Sequence, residues 1–94
     1  MTLFEFFDGH PERWSQGSIA RRKDGSPTSP DCVYAVKWDV EGAICTDKFT
    51  KEEWIDKHHK LEDIAEQFEY DFPHRWNDSV SFEEFLRVLK VFEI

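Results

Sequence analysis

The chain predicts a mainly α protein: a small single-domain helical bundle over residues 1–94, with an extended basic arm or short hairpin near residues 17–28. Three observations carry this expectation. A Ser or Thr stands three residues ahead of a Glu at Thr2/Glu5, Thr50/Glu53 and Ser81/Glu84, each time beside an apolar run, which is the signature of a capping box. Apolar residues then recur at three- and four-residue spacing, as on one face of a helix. Nine Phe and four Trp give the 94 residues an aromatic core large enough to fold alone, each buried ring removing roughly 150–250 Å² from water.

In chain order, Thr2 caps a short helix through Leu3, Phe4, Phe6 and Phe7, apolar nearly all round and ended by Gly9. Pro11 opens a second helical turn towards Trp14. From Trp14 the chain is polar, with Ile19 its only other large apolar anchor. An extended stretch is expected through Arg22, then a turn at Asp24-Gly25 and a loop to Pro30.

The segment Ser29–Cys45 fits two templates. Val36, Val40, Ala43 and Ile44 recur at helical spacing, while Tyr34, Val36, Trp38 and Val40 alternate with Ala35, Lys37, Asp39 and Glu41 as in a half-buried strand. Ser29-Pro30-Asp31 supplies an N-cap, a first-turn proline and an acid at the positive end of the dipole, so a helix is expected. Gly42 inside it marks a close approach, either of the Phe82–Phe92 helix or of the Trp14 arm.

Thr50 and Glu53 then start an amphipathic helix, with Phe49 placed to staple Trp54. Trp54, His58, Leu61, Ala65 and Phe68 form its stripe, widened by Ile55 and Ile64, for about five turns to near Tyr70. Residues 71–78 are rich in turn formers and predict a connection. Ser81 and Glu84 cap the last helix, where Phe82, Phe85, Leu86, Leu89 and Phe92 share a face.

Net charge is −8, and residues 27–94 account for all of it with sixteen acids against eight bases. Such a surface repels phosphate backbones and excludes broad nucleic-acid binding, while it suits a protein partner with a basic surface. Arg21, Arg22 and Lys23 are the one basic island. The start of the chain lacks a basic region leading into an apolar run, and no stretch approaches eighteen apolar residues, so neither a signal peptide nor a membrane span is expected. Two cysteines, Cys32 and Cys45, make no disulfide framework, and on a helix they stand roughly 20 Å apart, too far to bridge. A cytoplasmic setting follows.

Trp14, Gly17, Ala20, Arg21 and Gly25, then Ala35, Trp38, Gly42 and Ala43, then Trp76-Asn77-Asp78 form an ordered pattern. It resembles a family of short phage and bacterial proteins of unknown function, over residues 14 to about 92. The resemblance implies a mainly helical fold, with Ala35–Ala43 helical, and implies no activity. The chain departs from it at Asp39, where the family often carries Cys, and in its more elaborate acidic helix over residues 51–70.

No catalytic constellation, metal set or cofactor motif emerges. No window around Cys32 or Cys45 matches a nucleophile signature with His10, His58, His59 or His74, and both thiols fit packing roles. Adjacent His58 and His59 diverge by about 100° on a helix and cannot share one ion. The paired carboxylates are neighbours along helices, not across a cleft. What remains is an acidic helical face of Glu52, Asp56, Glu62, Asp63, Glu66 and Glu69 for a basic protein, most concretely as a phage-encoded inhibitor of a host or defence protein. The alternative is a pocket for a small nucleotide-like anion, formed where Trp14, Arg21 and Arg22 meet Trp76, Asn77 and Asp78.

Overall fold

A computed structural model of the protein describes residues 1–94. It corrects the expectation of a mainly α helical bundle, because five α-helices pack with a two-stranded antiparallel sheet. The order is α1 (Leu3–Phe7), a 3₁₀ turn (Pro11–Arg13), β1 (Ala20–Arg22), β2 (Ala35–Trp38), α2 (Val40–Ala43), α3 (Lys51–Gln67), α4 (Pro73–Ser79) and α5 (Phe82–Val91). No helix is long and apolar enough to cross a membrane.

The capped helices form where local chemistry places them. Thr2 Oγ1 accepts from the Glu5 amide at 3.0 Å, and the Glu5 carboxylate accepts from the Thr2 amide at 2.9 Å. Thr50 and Glu53 repeat the pair at 3.1 and 2.9 Å. At α5 the box is half-formed: Ser81 Oγ accepts from the Glu84 amide, but the Glu84 side chain turns to Arg87 one turn on. The stripe of α3 is rotated from the expected one. Lys57, Leu61, Ile64 and Ala65 are buried, whereas Trp54, Ile55 and Phe68 are exposed. Lys57 joins the inner face because its stem crosses the core edge and sets the ammonium 5.7 Å from the centre of the Phe49 ring.

Ser29–Cys45 is not one helix. The Ser29 hydroxyl bonds the Asp31 carboxylate rather than a helix amide, so Ser-Pro-Asp closes a turn. The chain then runs extended, and Ala35–Trp38 pairs with β1 in the register Ala20↔Trp38, Arg21↔Lys37 and Arg22↔Ala35, with an irregularity between Arg21 and Arg22. The Trp38 indole N–H donates to the Pro30 carbonyl at 3.1 Å and pins that turn to the strand. Helix begins only at Val40, because Asp39 Oδ1 accepts from the Gly42 amide at 2.7 Å and caps α2. The helix that the family resemblance implied over Ala35–Ala43 is thus divided between a strand and one helical turn.

The basic arm does double back. Arg22 N–H donates to Ser26 O at 2.9 Å, Thr28 N–H to Ala20 O at 3.0 Å, and Gly25 supplies φ 88° at the turn. β1 therefore meets residues 26–28 on one edge and β2 on the other. Gly42 is where the arm touches the core: a Cβ there would lie 2.1 Å from the Ile19 carbonyl oxygen.

Residues 71–78 also depart from expectation, since Pro73–Ser79 is helix. Pro73 sits at its start with no side-chain cap, and Trp76 and Asn77 are buried on its inner face. Turn-forming residues are held helical there by tertiary packing. Phe85 stands at the centre of the aromatic core, with ring centres of Trp14, Phe7 and Trp76 at 4.9, 5.1 and 5.4 Å.

Candidate functional site

The two proposed clusters fare differently. Trp14, Arg21 and the Trp76-Asn77-Asp78 segment do converge, but they satisfy one another. Asn77 is fully buried. Its Oδ1 accepts from the Trp14 indole at 2.8 Å and the Val40 amide at 3.1 Å, and its Nδ2 donates to the Ser15 carbonyl at 2.9 Å and to Asp78 Oδ1 at 3.0 Å. Asp78 Oδ1 also accepts from the Gly17 amide at 3.0 Å. Gln16, which the sequence did not single out, donates to the carbonyls of Asn77 and Val80. Arg21 spends its guanidinium on Ser15 Oγ, Gly25 O and Gln16 O at 3.2, 2.9 and 3.1 Å. Arg22 reaches Ser26 and Pro27, and Trp76 is buried in the core. This is a tertiary clasp joining the arm to α2 and α4, and most of its donors and acceptors are spent on one another. Nothing in it favours a small anion.

The acidic residues Glu52, Asp56, Glu62, Asp63, Glu66 and Glu69 are all exposed. Asp56 is within 3.4 Å of Lys60, and Glu62 lies 3.5 and 3.6 Å from His58 and His59. Two of the six, Glu62 and Glu66, turn towards α4. There, with Glu41, Asp71, Tyr70 and Phe72, they border a groove of about 570 Å³ that no lysine or arginine lines. Phe72 is 53% exposed, an apolar face left open amid carboxylates. It stacks on His74 with ring centres 5.5 Å apart.

Glu41 also belongs to a second cavity. Beyond it lies a cleft of about 300 Å³ between the arm, α2 and α4, bordered by Gly17, Ser18, Asp39, Glu41, His74 and Asp78. His74 Nδ1 sits 3.3 Å from Glu41 Oε2 on its rim. Asp39 forms the floor and is only 3% exposed. Burial pushes its carboxyl up to about 7; the Gly42 N–H opposes this, Glu41 and Asp78 reinforce it, and His74 draws it down. One oxygen caps α2. The other, Oδ2, accepts no hydrogen bond within the protein, and because every sealed side-chain oxygen has a partner, Oδ2 opens on the cleft.

Sequence reasoning missed Asp39 as a site residue. The signals available were an acid next to the middle Trp of the pattern and the Asp-x-x-Gly spacing of an N-cap, both of which the helix reading of Ser29–Cys45 obscured. No three His, Cys, Asp or Glu side chains are arranged to hold a metal ion. Cys32 and Cys45 are free thiols lining one shallow cleft with Trp38, and the continuous helix from which their separation was deduced is absent. The Cys32 thiol is lowered by the Thr28 side chain and the Tyr34 backbone, and no histidine lines that cleft. Comparisons with protein-family models, with curated proteins and with solved structures find no match for the chain, so its own geometry has to indicate what the site binds.

Proposed function

We propose that the protein is a small non-enzymatic interaction module that receives a basic segment of a protein partner in the groove between α3 and α4. The groove itself carries this reading. Glu41, Glu62, Glu66 and Asp71 face it with no lysine or arginine among them, and Tyr70 and Phe72 offer aromatic faces between the charges. Carboxylates beside exposed aromatic rings suit lysine and arginine, which combine a cation with an apolar stem. The same negative field works against nucleic acid. The most concrete form, a phage-encoded inhibitor acting on a host or defence protein in the cytoplasm, draws on the resemblance of the Trp14–Asp78 pattern to a family of short phage and bacterial proteins of unknown function.

Calorimetric titration with a short peptide of alternating arginine and glycine tests the module. Attraction between exposed charges is screened by salt, so affinity should fall at least about tenfold between about 50 and about 500 mM salt. Joint replacement of Glu62 and Glu66 by Gln should weaken it at low salt. Absence of binding at low salt, or binding indifferent to both changes, would overturn the reading.

A further inference from the structure

The floor of the cleft beyond Glu41 is built unlike an ordinary acidic surface. Exposed carboxylates are solvated from all sides, but Asp39 is 3% exposed, with one oxygen committed to the Gly42 amide at 2.7 Å and the other left without a donor. That free oxygen opens on the cleft, where its largely buried residue leaves it little solvent, and a proton or a cation entering the cleft would satisfy it. Within the protein no cation reaches it: among the side chains bordering the cleft, only the His74 imidazole can carry positive charge, and that ring lies against Glu41.

The geometry points to the cleft as a socket for one arginine side chain of the basic partner, its guanidinium seated between Asp39, Glu41 and Asp78. This rests on the groove being the partner's docking surface and adds the anchor residue. Three features favour arginine. The guanidinium offers several in-plane donors, matching carboxylates that approach from α2, from its cap and from α4, whereas an ammonium is a point charge with a larger hydration cost. His74, stacked on Phe72, presents a flat ring at the rim on which a guanidinium can lie. A volume of about 300 Å³ admits a guanidinium and its methylene stem, but no secondary structure. Glu41 borders both cavities, so a segment lying along the groove can place one side chain in the cleft.

Binding a cation at Asp39 requires its ionised form. The titratable groups facing it are Glu41 on α2 and His74 and Asp78 on α4; a proton on any of them, like one on Asp39, opposes the cation. With the Asp39 carboxyl at about 7, affinity should rise about tenfold from about pH 6 to about pH 8, and binding should release close to one proton at the lower pH and almost none at the higher.

N-acetyl-argininamide and its neutral isostere N-acetyl-citrullinamide are the probes, followed by backbone amide NMR. The arginine probe should shift the amides of Gly17, Asp39, Gly42 and Asp78 more at pH 8 than at pH 6, and the citrulline probe should not. D39N should abolish these shifts and weaken the arginine–glycine peptide at least about tenfold, as expected when a buried charge loses its partner. E83Q, the same change of charge on the exposed face of α5, should leave both intact, and H74Q should retain the pH dependence. The socket is overturned if D39N binds like the parent, if shifts centre on Glu62 and Glu66, if only H74Q removes the pH dependence, or if spermidine occupies the cleft as well as the arginine probe. A peptide that binds the parent and D39N equally refutes the socket and spares the groove. A peptide that binds neither refutes both.

Discussion

Asp39 does two jobs that pull against each other. As N-cap of α2 it must present an acceptor to the Gly42 amide, and as a buried acid beside Glu41 and Asp78 it resists carrying charge. Its carboxyl lies at about 7 when folded, against 3.8 for an unperturbed Asp. The folded state therefore holds the proton more tightly than the unfolded chain. The associated stability is fully present below about pH 4 and is lost as pH rises through about 7, a swing on the order of 4 kcal/mol. Asn keeps the acceptor and cannot ionise. Urea unfolding of D39N should thus show an advantage over the parent that grows by a few kcal/mol from about pH 5 to about pH 8. An advantage equal at both pH values would mean that Asp39 is solvated. Asn77, by contrast, has no such conflict, since its amide oxygen and nitrogen each make two bonds inside the fold. Its role in joining distant segments was half legible: the Trp-Asn-Asp string stood out, but only the folded chain shows that its partners are Trp14, Ser15 and Val40.

Elements whose determinants lie within four residues were the legible ones. Thr2/Glu5 and Thr50/Glu53 start helices because cap and partner are sequence neighbours, and the turn at Asp24-Gly25 follows from the same kind of local bonding. Ser29-Pro-Asp carries equally good local signals, and there they mislead. Strand Ala35–Trp38 is stabilised by pairing with Ala20–Arg22, a partner across a long connection that no window around residue 35 contains. α4 fails for the mirror-image reason: poor helix formers are held helical by burial of Trp76 and Asn77. Gly42 links these non-local elements. With the Ile19 carbonyl 2.1 Å from where a Cβ would stand, G42A must push the arm off α2, although alanine is the better helix former. Loss of at least about 2 kcal/mol is expected in denaturant unfolding, against a gain of up to about 1 kcal/mol if propensity governed.

At the scale of the molecule, the fold seals an aromatic core and leaves several large apolar side chains on the surface, Phe72 among them. The fourteen-residue core is sealed around Phe85 and Trp76, while on the α3–α4 side Phe72 remains open among carboxylates. That side also carries Trp54, the tryptophan farthest from burial, stacked on His58 with ring centres 4.9 Å apart and planes within 4°. His58 in turn borders the groove. The pairing gives the protein a built-in optical gauge. An indole's emission depends on what lies against its face, so Trp54 emission follows the packing of the His58 ring. A basic segment settling in the groove meets His58, and Trp54 emission should change as the peptide is added, in proportion to occupancy. The other three tryptophans contribute a constant background, so W54F should abolish the change; a response that survives W54F would place the peptide elsewhere. A groove recognised by its charge would then announce its occupant in light.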